Sequence, residues 1–351
     1  LARAHTRPPP YVMTSMASGT FIPTFRQEFR LRDHARRARL RIGRKFADNM
    51  FASISSLGQA HPRSRPEAHR LERVSNIAYG PEPAHKLDIW RPLDRKDPLP
   101  VVFYVHGGGF RILSKDSHFV PAIAYAGRGY LVVNINYRLS PKHPFPGAIQ
   151  DTIRALHWTL DHIDEFGGDP RTMGLAGDSA GGNLITALTV CSHYERPEPY
   201  ARSLFSRAFR ASIVMPAAGI HQVSNPERYT RGKGRPSWFF RDRISDAAGC
   251  YLPAERCPIY SQLADPLLVL ERRRPDRPLP PFYAMVGSAD PIAEDSRRLH
   301  RAVEQWETPS QLREYEGMGH VFHMLAFRQV ALRAWKDMLD AADARMKSAV
   351  P

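Results

Sequence analysis

Cysteine is scarce. Cys191, Cys250 and Cys257 are the only three in 351 residues, too few and too scattered for a disulfide framework or a zinc site. Cys250 and Cys257 would pair only in an oxidising compartment. Long apolar runs are missing as well. No stretch approaches the roughly 18 to 20 uninterrupted apolar residues that a bilayer-spanning helix takes. The opening residues, LARAHTRPPP, lack the apolar region of a secretory signal. A soluble, cytoplasmic protein is therefore expected, with Met13 a candidate start because the chain opens on Leu1. Lysine supplies only 8 of the 50 basic residues. There is no internal repeat, no low-complexity tract, and no RRM, zinc-finger or basic-zipper signature.

What is present is ordinary for a globular chain: 42% hydrophobic and 24% charged residues, enough for a large core. The net charge of +15 is unevenly placed. Residues 1–75 carry 15 Lys+Arg against 5 Asp+Glu, so +10 of the +15 lies there. Its densest part is RLRDHARRARLRIGRK, residues 30–45. The plainer reading is a solvated helical face in an arginine-biased sequence; the other is weak contact with an anionic partner or membrane surface. Nothing points to specific nucleic-acid recognition.

From about residue 74 strands and helices alternate. VSNIAYG and HKLDIW are two short strands joined by a Pro/Gly turn. VVFYV (101–105) and YLVVNINY (130–137) are apolar runs suited to strands buried on both faces. Between Gly147 and Phe166 apolar residues fall at Ile149, Ile153, Leu156, Leu160 and Ile163, the stripe of one helix. TMGLAG, ASIVM, PFYAMV and LREYE are further strands. A helix follows PFYAMV with Ile292, Leu299, Val303 and Trp306 on one face, and another closes the chain over about 322–345. This rhythm predicts an α/β fold with a largely parallel sheet covered on both faces. Residues 217–280, rich in Pro, Arg and aromatics, interrupt it and read as a lid or binding loop.

The chemistry lies in three loops. GLAGDSAGGN sets Ser179 between a strand and a helix, with Gly177 and Gly181 two places to either side. That is the G-x-S-x-G nucleophile elbow, in which a tight turn pushes Oγ out over the sheet. A serine hydroxyl needs a base, and the chain order in this architecture is nucleophile, acid, histidine. Asp290 follows the strand PFYAMV, and His320 follows LREYE. Rivals are Asp265, which follows no clear strand, and His323, which suits packing at the start of the closing helix. VVFYVHGGGF delivers Gly107, Gly108 and Gly109 to a loop whose bare amides can approach a carbonyl closely. A phosphate-cradling loop fits less well, because no G-K-[ST] follows.

Together, HGGGF, NYRLSPKHPFPGAIQD, FGGDPRTMGLAGDSAGGN, GSADP and LREYEGMGH resemble the hormone-sensitive-lipase-like branch of the α/β-hydrolases, the bacterial family IV esterases, over roughly residues 76–340. The resemblance implies an α/β-hydrolase fold with a mostly parallel eight-stranded sheet and a helical cap. It implies Ser179 as nucleophile, His320 as base, Asp290 as orienting acid, and the amides of Gly108, Gly109 and Ala180 as oxyanion hole. It assigns residues 74–351 to the catalytic domain, with 1–73 and the 217–280 insertion as cap. Trp238, Phe239 and Phe240 are candidate substrate-pocket residues. A small-molecule ester is the expected partner, with no metal or organic cofactor needed, and a homodimer is compatible. Amide hydrolysis and a non-catalytic binding role are the alternatives, though His320 speaks against the second. Four departures from the family pattern, Asn136, Lys142, Ile292 and Val321, remove no catalytic atom.

Overall fold

Alternation along the strands sorts the core into two layers. In VVFYV, Val101, Phe103 and Val105 pack into one apolar cluster and Val102 and Tyr104 into another, because successive strand side chains point to opposite faces. All five are at most 2% exposed. At roughly 1.5–3 kcal/mol for each large apolar side chain buried, such strands hold the centre of the sheet.

The computed structural model describes residues 61–94, 98–230, 238–252 and 262–347, with the single positions 43 and 53. The dense basic run 30–45, apart from Gly43, and Cys257 lie outside the described residues. Eight strands form one sheet: β1 Leu71–Ala78, β2 Lys86–Pro92, β3 Leu99–Val105, β4 Leu131–Ile135, β5 Gly168–Asp178, β6 Ile213–Ala217, β7 Phe282–Gly287 and β8 Ser310–Tyr315. Their order is β1-β2-β4-β3-β5-β6-β7-β8. β2 runs antiparallel to both its neighbours, and the remaining pairs are parallel.

The described helices are α1 Phe119–Gly127, α2 Gly147–His162, α3 Ala180–His193, α4 Pro199–Ser206, α5 Trp238–Tyr251, α6 Pro266–Arg272, α7 Ala293–Glu304 and α8 Gln329–Met346. Residues of α1 and α8 share one buried cluster with Val102 and Tyr104. Residues of α2, α3, α4, α6 and α7 share the other. Among the described residues no helix is long and apolar enough to cross a membrane.

Several boundaries differ from the sequence expectation. β1 starts at Leu71, and β5 starts at Gly168, where Leu99 and Pro100 pair with Gly168 and Asp169 before a register shift. β4 stops at Ile135; Asn136 instead accepts the Lys115 amide through Oδ1, and Tyr137 donates its hydroxyl to the His106 carbonyl. Trp306 lies past the end of α7, its indole N–H donating to Leu270 O at 2.6 Å. The closing helix begins at Gln329, after a short 3₁₀ turn over Phe322–Met324. Within 217–280, α6 packs Leu267 and Leu270 into the core beneath the sheet.

Candidate active site

Parallel strands bring their C-terminal ends to one edge, so the loops after β3, β5, β7 and β8 meet there. Ser179 is the single residue between β5 and α3, with φ 50° and ψ −112°. That backbone region is costly for a side-chain-bearing residue and persists only where its surroundings over-determine it. Here they do. A Cβ at Gly181 would lie 1.9 Å from the Val105 carbonyl oxygen, and one at Gly177 would lie 2.7 Å from it. The turn is clamped against β3, and Ser179 N–H donates to Ala217 O on β6 at 2.9 Å.

The loops carrying Asp290 and His320 are joined by backbone. Ser288 N–H donates to Tyr315 O at 2.9 Å, and Ala289 N–H to Met318 O at 3.0 Å. Gly287 allows this approach, since a Cβ there would sit 2.0 Å from Met318 O. The side chains then form one line. His320 Nδ1 is 2.8 Å from Asp290 Oδ2, and His320 Nε2 is 3.0 Å from Ser179 Oγ. Asp290 is buried, and its Oδ1 accepts the Ile292 amide at 3.0 Å. Burial works against charge on His320, but the attraction and hydrogen bond of the Asp290 carboxylate outweigh it and raise the histidine above its ordinary value.

Neither rival hydrogen-bonds Ser179 or His320 among the described residues. Asp265 accepts the amides of Val223 at 2.5 Å and Ser224 at 2.9 Å, fixing that loop. His323 is buried, which pushes its pKa down to about 4, and its carbonyl accepts the Trp335 indole N–H at 2.9 Å.

Gly108 and Gly109 have φ of 106° and 60°, conformations that glycine adopts without steric cost. Neither amide donates to a protein acceptor among the described residues. Ala180 opens α3, where the amide has no intrahelical acceptor. The Ala180 amide follows Ser179 at the positive end of α3, and Gly108 and Gly109 line the same cavity as Ser179.

Between these loops and α5 lies a cavity of about 200 Å³ that includes Ser179, His320, Gly108 and Gly109. Its walls are mainly apolar: Ile220, Val223 and Ile292 on the sheet side, Phe240, Ile244 and Ala247 on α5. The Phe240 ring stands edge-on to the His320 imidazole, centroids 5.5 Å apart. The side chains of Trp238 and Phe239 lie outside the described residues. The other wall positions carry no sequence signal of their own, because only the folded loops place them there. One functional candidate was legible but overlooked: Asp178, inside the elbow motif itself, also reaches the cavity.

A protein family described by its alpha/beta hydrolase fold matches residues 102–324. The carboxylesterase NlhH of Mycobacterium tuberculosis is 48% identical over 100 residues, a match covering 28% of this chain and 31% of that protein. The versiconal hemiacetal acetate esterase of Dothistroma septosporum is 24% identical over 79% of this chain and 82% of its own. Among solved structures, a bacterial heroin esterase superposes with a TM-score of 0.71 at 21% identity, covering 86% of this chain and 92% of that one. The esterase of the archaeon Pyrobaculum calidifontis gives 0.69 at 22% identity, with 86% and 93% covered. The chain belongs to the α/β-hydrolase fold family.

Proposed function

We propose that this protein is a serine carboxylic-ester hydrolase acting on short- to medium-chain acyl esters, with Ser179 as nucleophile, His320 as base and Asp290 as the acid that orients it. The observation that carries the reading is the unbroken line from Ser179 Oγ to His320 Nε2 at 3.0 Å and from His320 Nδ1 to Asp290 Oδ2 at 2.8 Å. Ser179 Oγ attacks the ester carbonyl as His320 Nε2 takes its proton. Asp290 holds the tautomer with hydrogen on Nδ1 and stabilises the imidazolium. The amides of Gly108, Gly109 and Ala180 receive the oxyanion. Each such donor is worth about 3–4 kcal/mol of barrier. The alcohol leaves with the histidine proton, and water repeats the two steps on the acyl-enzyme.

Cavity size supports a short acyl group. About 200 Å³ is available beside Ser179, within mainly apolar walls. Two similar proteins, an acetyl esterase of Salmonella and the versiconal hemiacetal acetate esterase, are named for the two-carbon acyl group, which supports that range. In this reading α5 is the described part of a cap over the acyl pocket, with Phe240 on its inner face. The buried thiol of Cys191, in no disulfide, suits a reducing cytoplasm.

The test is hydrolysis of p-nitrophenyl esters of increasing acyl length by the parent and by Ser179→Ala. Turnover by the parent, best below about ten carbons, and background rates in the variant are expected. Parent-level turnover by Ser179→Ala refutes the nucleophile. Faster cleavage of matched acyl anilides than of esters makes the protein an amide hydrolase.

A further inference from the structure

The residue just before the proposed nucleophile holds a charge that no step above uses. Asp178 is the last residue of β5 and 3% exposed. Its Oδ1 accepts the Tyr104 hydroxyl at 2.8 Å and the Gly107 amide at 3.1 Å, and lies 3.2 Å from His118 Nε2. These partners come from β3, from the first glycine of HGGGF, and from the short turn Lys115–His118 after it. Oδ2 is equally close to the loop: a Cβ at Gly107 would lie 2.2 Å from it. A buried carboxylate is expensive unless its lone pairs are met. Here two of the three groups that meet them, the Gly107 amide and His118, belong to the loop carrying Gly108 and Gly109.

On the esterase reading above, we propose that Asp178 is a positioning residue: its buried carboxylate ties the oxyanion loop to the nucleophile elbow, and its charge acts alongside Asp290 on the imidazole of His320. Two connected pieces follow. The Gly107 amide, held by Asp178, sets the path of the next two residues, whose amides would face the oxyanion. A donor displaced by a fraction of an ångström loses much of its preference for the transition state. The second piece is electrostatic. Burial opposes ionisation of Asp178, but His118, His323 and Tyr104 outweigh it and keep the carboxyl well below the usual range. Asp178 and His320 line the same cavity, and Asp178 also contributes to the raised value of His320, behind Asp290. The titratable groups facing Asp178 are Tyr104, His106, His118, Tyr137, His320 and His323. Those facing His320 are Asp290, Asp178 and His323.

Removing the Asp178 charge while keeping its shape separates this role from simple packing. Steady-state rates with p-nitrophenyl acetate across about pH 5 to 9 are measured for the parent, Asp178→Asn, Tyr104→Phe and, as control, Ser179→Ala. Asp178→Asn is expected to lower kcat by about 10²-fold with KM within about threefold. Its acid limb should move to lower pH, because the imidazolium has lost a negative neighbour. Tyr104→Phe keeps the charge and loses one donor, so kcat should fall about fivefold with the acid limb unmoved. A kcat of Asp178→Asn within about twofold of the parent, or a fall with the acid limb in place, overturns the proposal. If circular dichroism shows that Asp178→Asn does not fold, Tyr104→Phe decides: lower kcat at unchanged KM supports it, and unchanged kcat overturns it. Activity surviving in Ser179→Ala would instead remove the esterase reading beneath it.

Discussion

The strand-end wall of the cavity and the α5 wall are held by different kinds of contact. On the strand side, backbone meets backbone: Ser179 N–H on Ala217 O, Ser288 N–H on Tyr315 O, Ala289 N–H on Met318 O. Glycines at 177, 181 and 287 sit where a single added carbon would collide. On the α5 side, side-chain contacts run along the helix: Asp246 Oδ2 lies 3.4 Å from Arg111 Nε, and Ile244 and Ala248 pack into the core. Tyr251 stacks on Phe110 with centroids 3.7 Å apart, and its carbonyl accepts the Phe145 amide at 2.7 Å. Phe240, Ile244 and Ala247 reach the cavity. Reaction geometry is thus fixed by the main chain, while the shape offered to the acyl group is set by replaceable side chains.

If that contrast is right, changes on the strand side cost rate and changes on α5 redistribute substrates. The largest expected effect is at Asp290. Asp290→Asn reverses the hydrogen-bond demand on His320 Nδ1, and kcat should fall by about 10⁴. In the parent the proton must be off Nε2, so kcat/KM rises with pH through the His320 pKa, above the ordinary 6.5. The acid limb of any residual activity of Asp290→Asn should lie at lower pH, since the carboxylate that favoured the imidazolium is gone. An Asp290→Asn enzyme at near-parent rate breaks the strand side of the contrast.

A middle-sized effect belongs to the α5 wall. Phe240→Ala and Ile244→Ala should shift the preferred acyl length upward, changing the ratio of hexanoyl to acetyl kcat/KM by about 10-fold. Acetyl kcat should stay within about threefold of the parent. Collapse of acetyl turnover in the Ile244 variant would place α5 in the reaction geometry after all. The smallest effect concerns Val321, a β-branched residue with φ 46° beside His320. Left-handed backbone costs a side-chain-bearing residue roughly 1–2 kcal/mol, so Val321→Gly should raise stability by about 1 kcal/mol, read from the denaturant midpoint. Destabilisation would mean that the buried part of the valine side chain matters more than its backbone.

The same contrast explains what could be read from the chain. Elbow, glycine loop, acid and histidine each sit at a strand's end, where an apolar run followed by Gly or Asp marks the turn in one dimension. The order of those runs therefore placed Ser179, Asp290 and His320 on one edge. Asp265 was separable because no strand precedes it, and its carboxylate indeed turns to the Val223 and Ser224 amides. Ile220, Val223 and Ile244 left no such mark, because tertiary packing alone brings them together. Element ends were blurred for a related reason. Asn136 and Tyr137 continue the run of β4, yet Asn136 keeps one amide bond to Lys86 O on β2 while its side chain accepts the Lys115 amide, and Tyr137 donates to His106 O. The start of β5 hides behind the turn-like sequence GGDP.

The most direct measurement is covalent. A fluorophosphonate reacts with a serine only where a base and an oxyanion site activate it, so intact-mass and peptide spectra of the treated protein test the whole arrangement at once. The account predicts one adduct per chain, on the peptide containing Ser179, absent from Ser179→Ala and formed far more slowly by Asp290→Asn. An unlabelled but active parent, or an adduct on another residue, would contradict it.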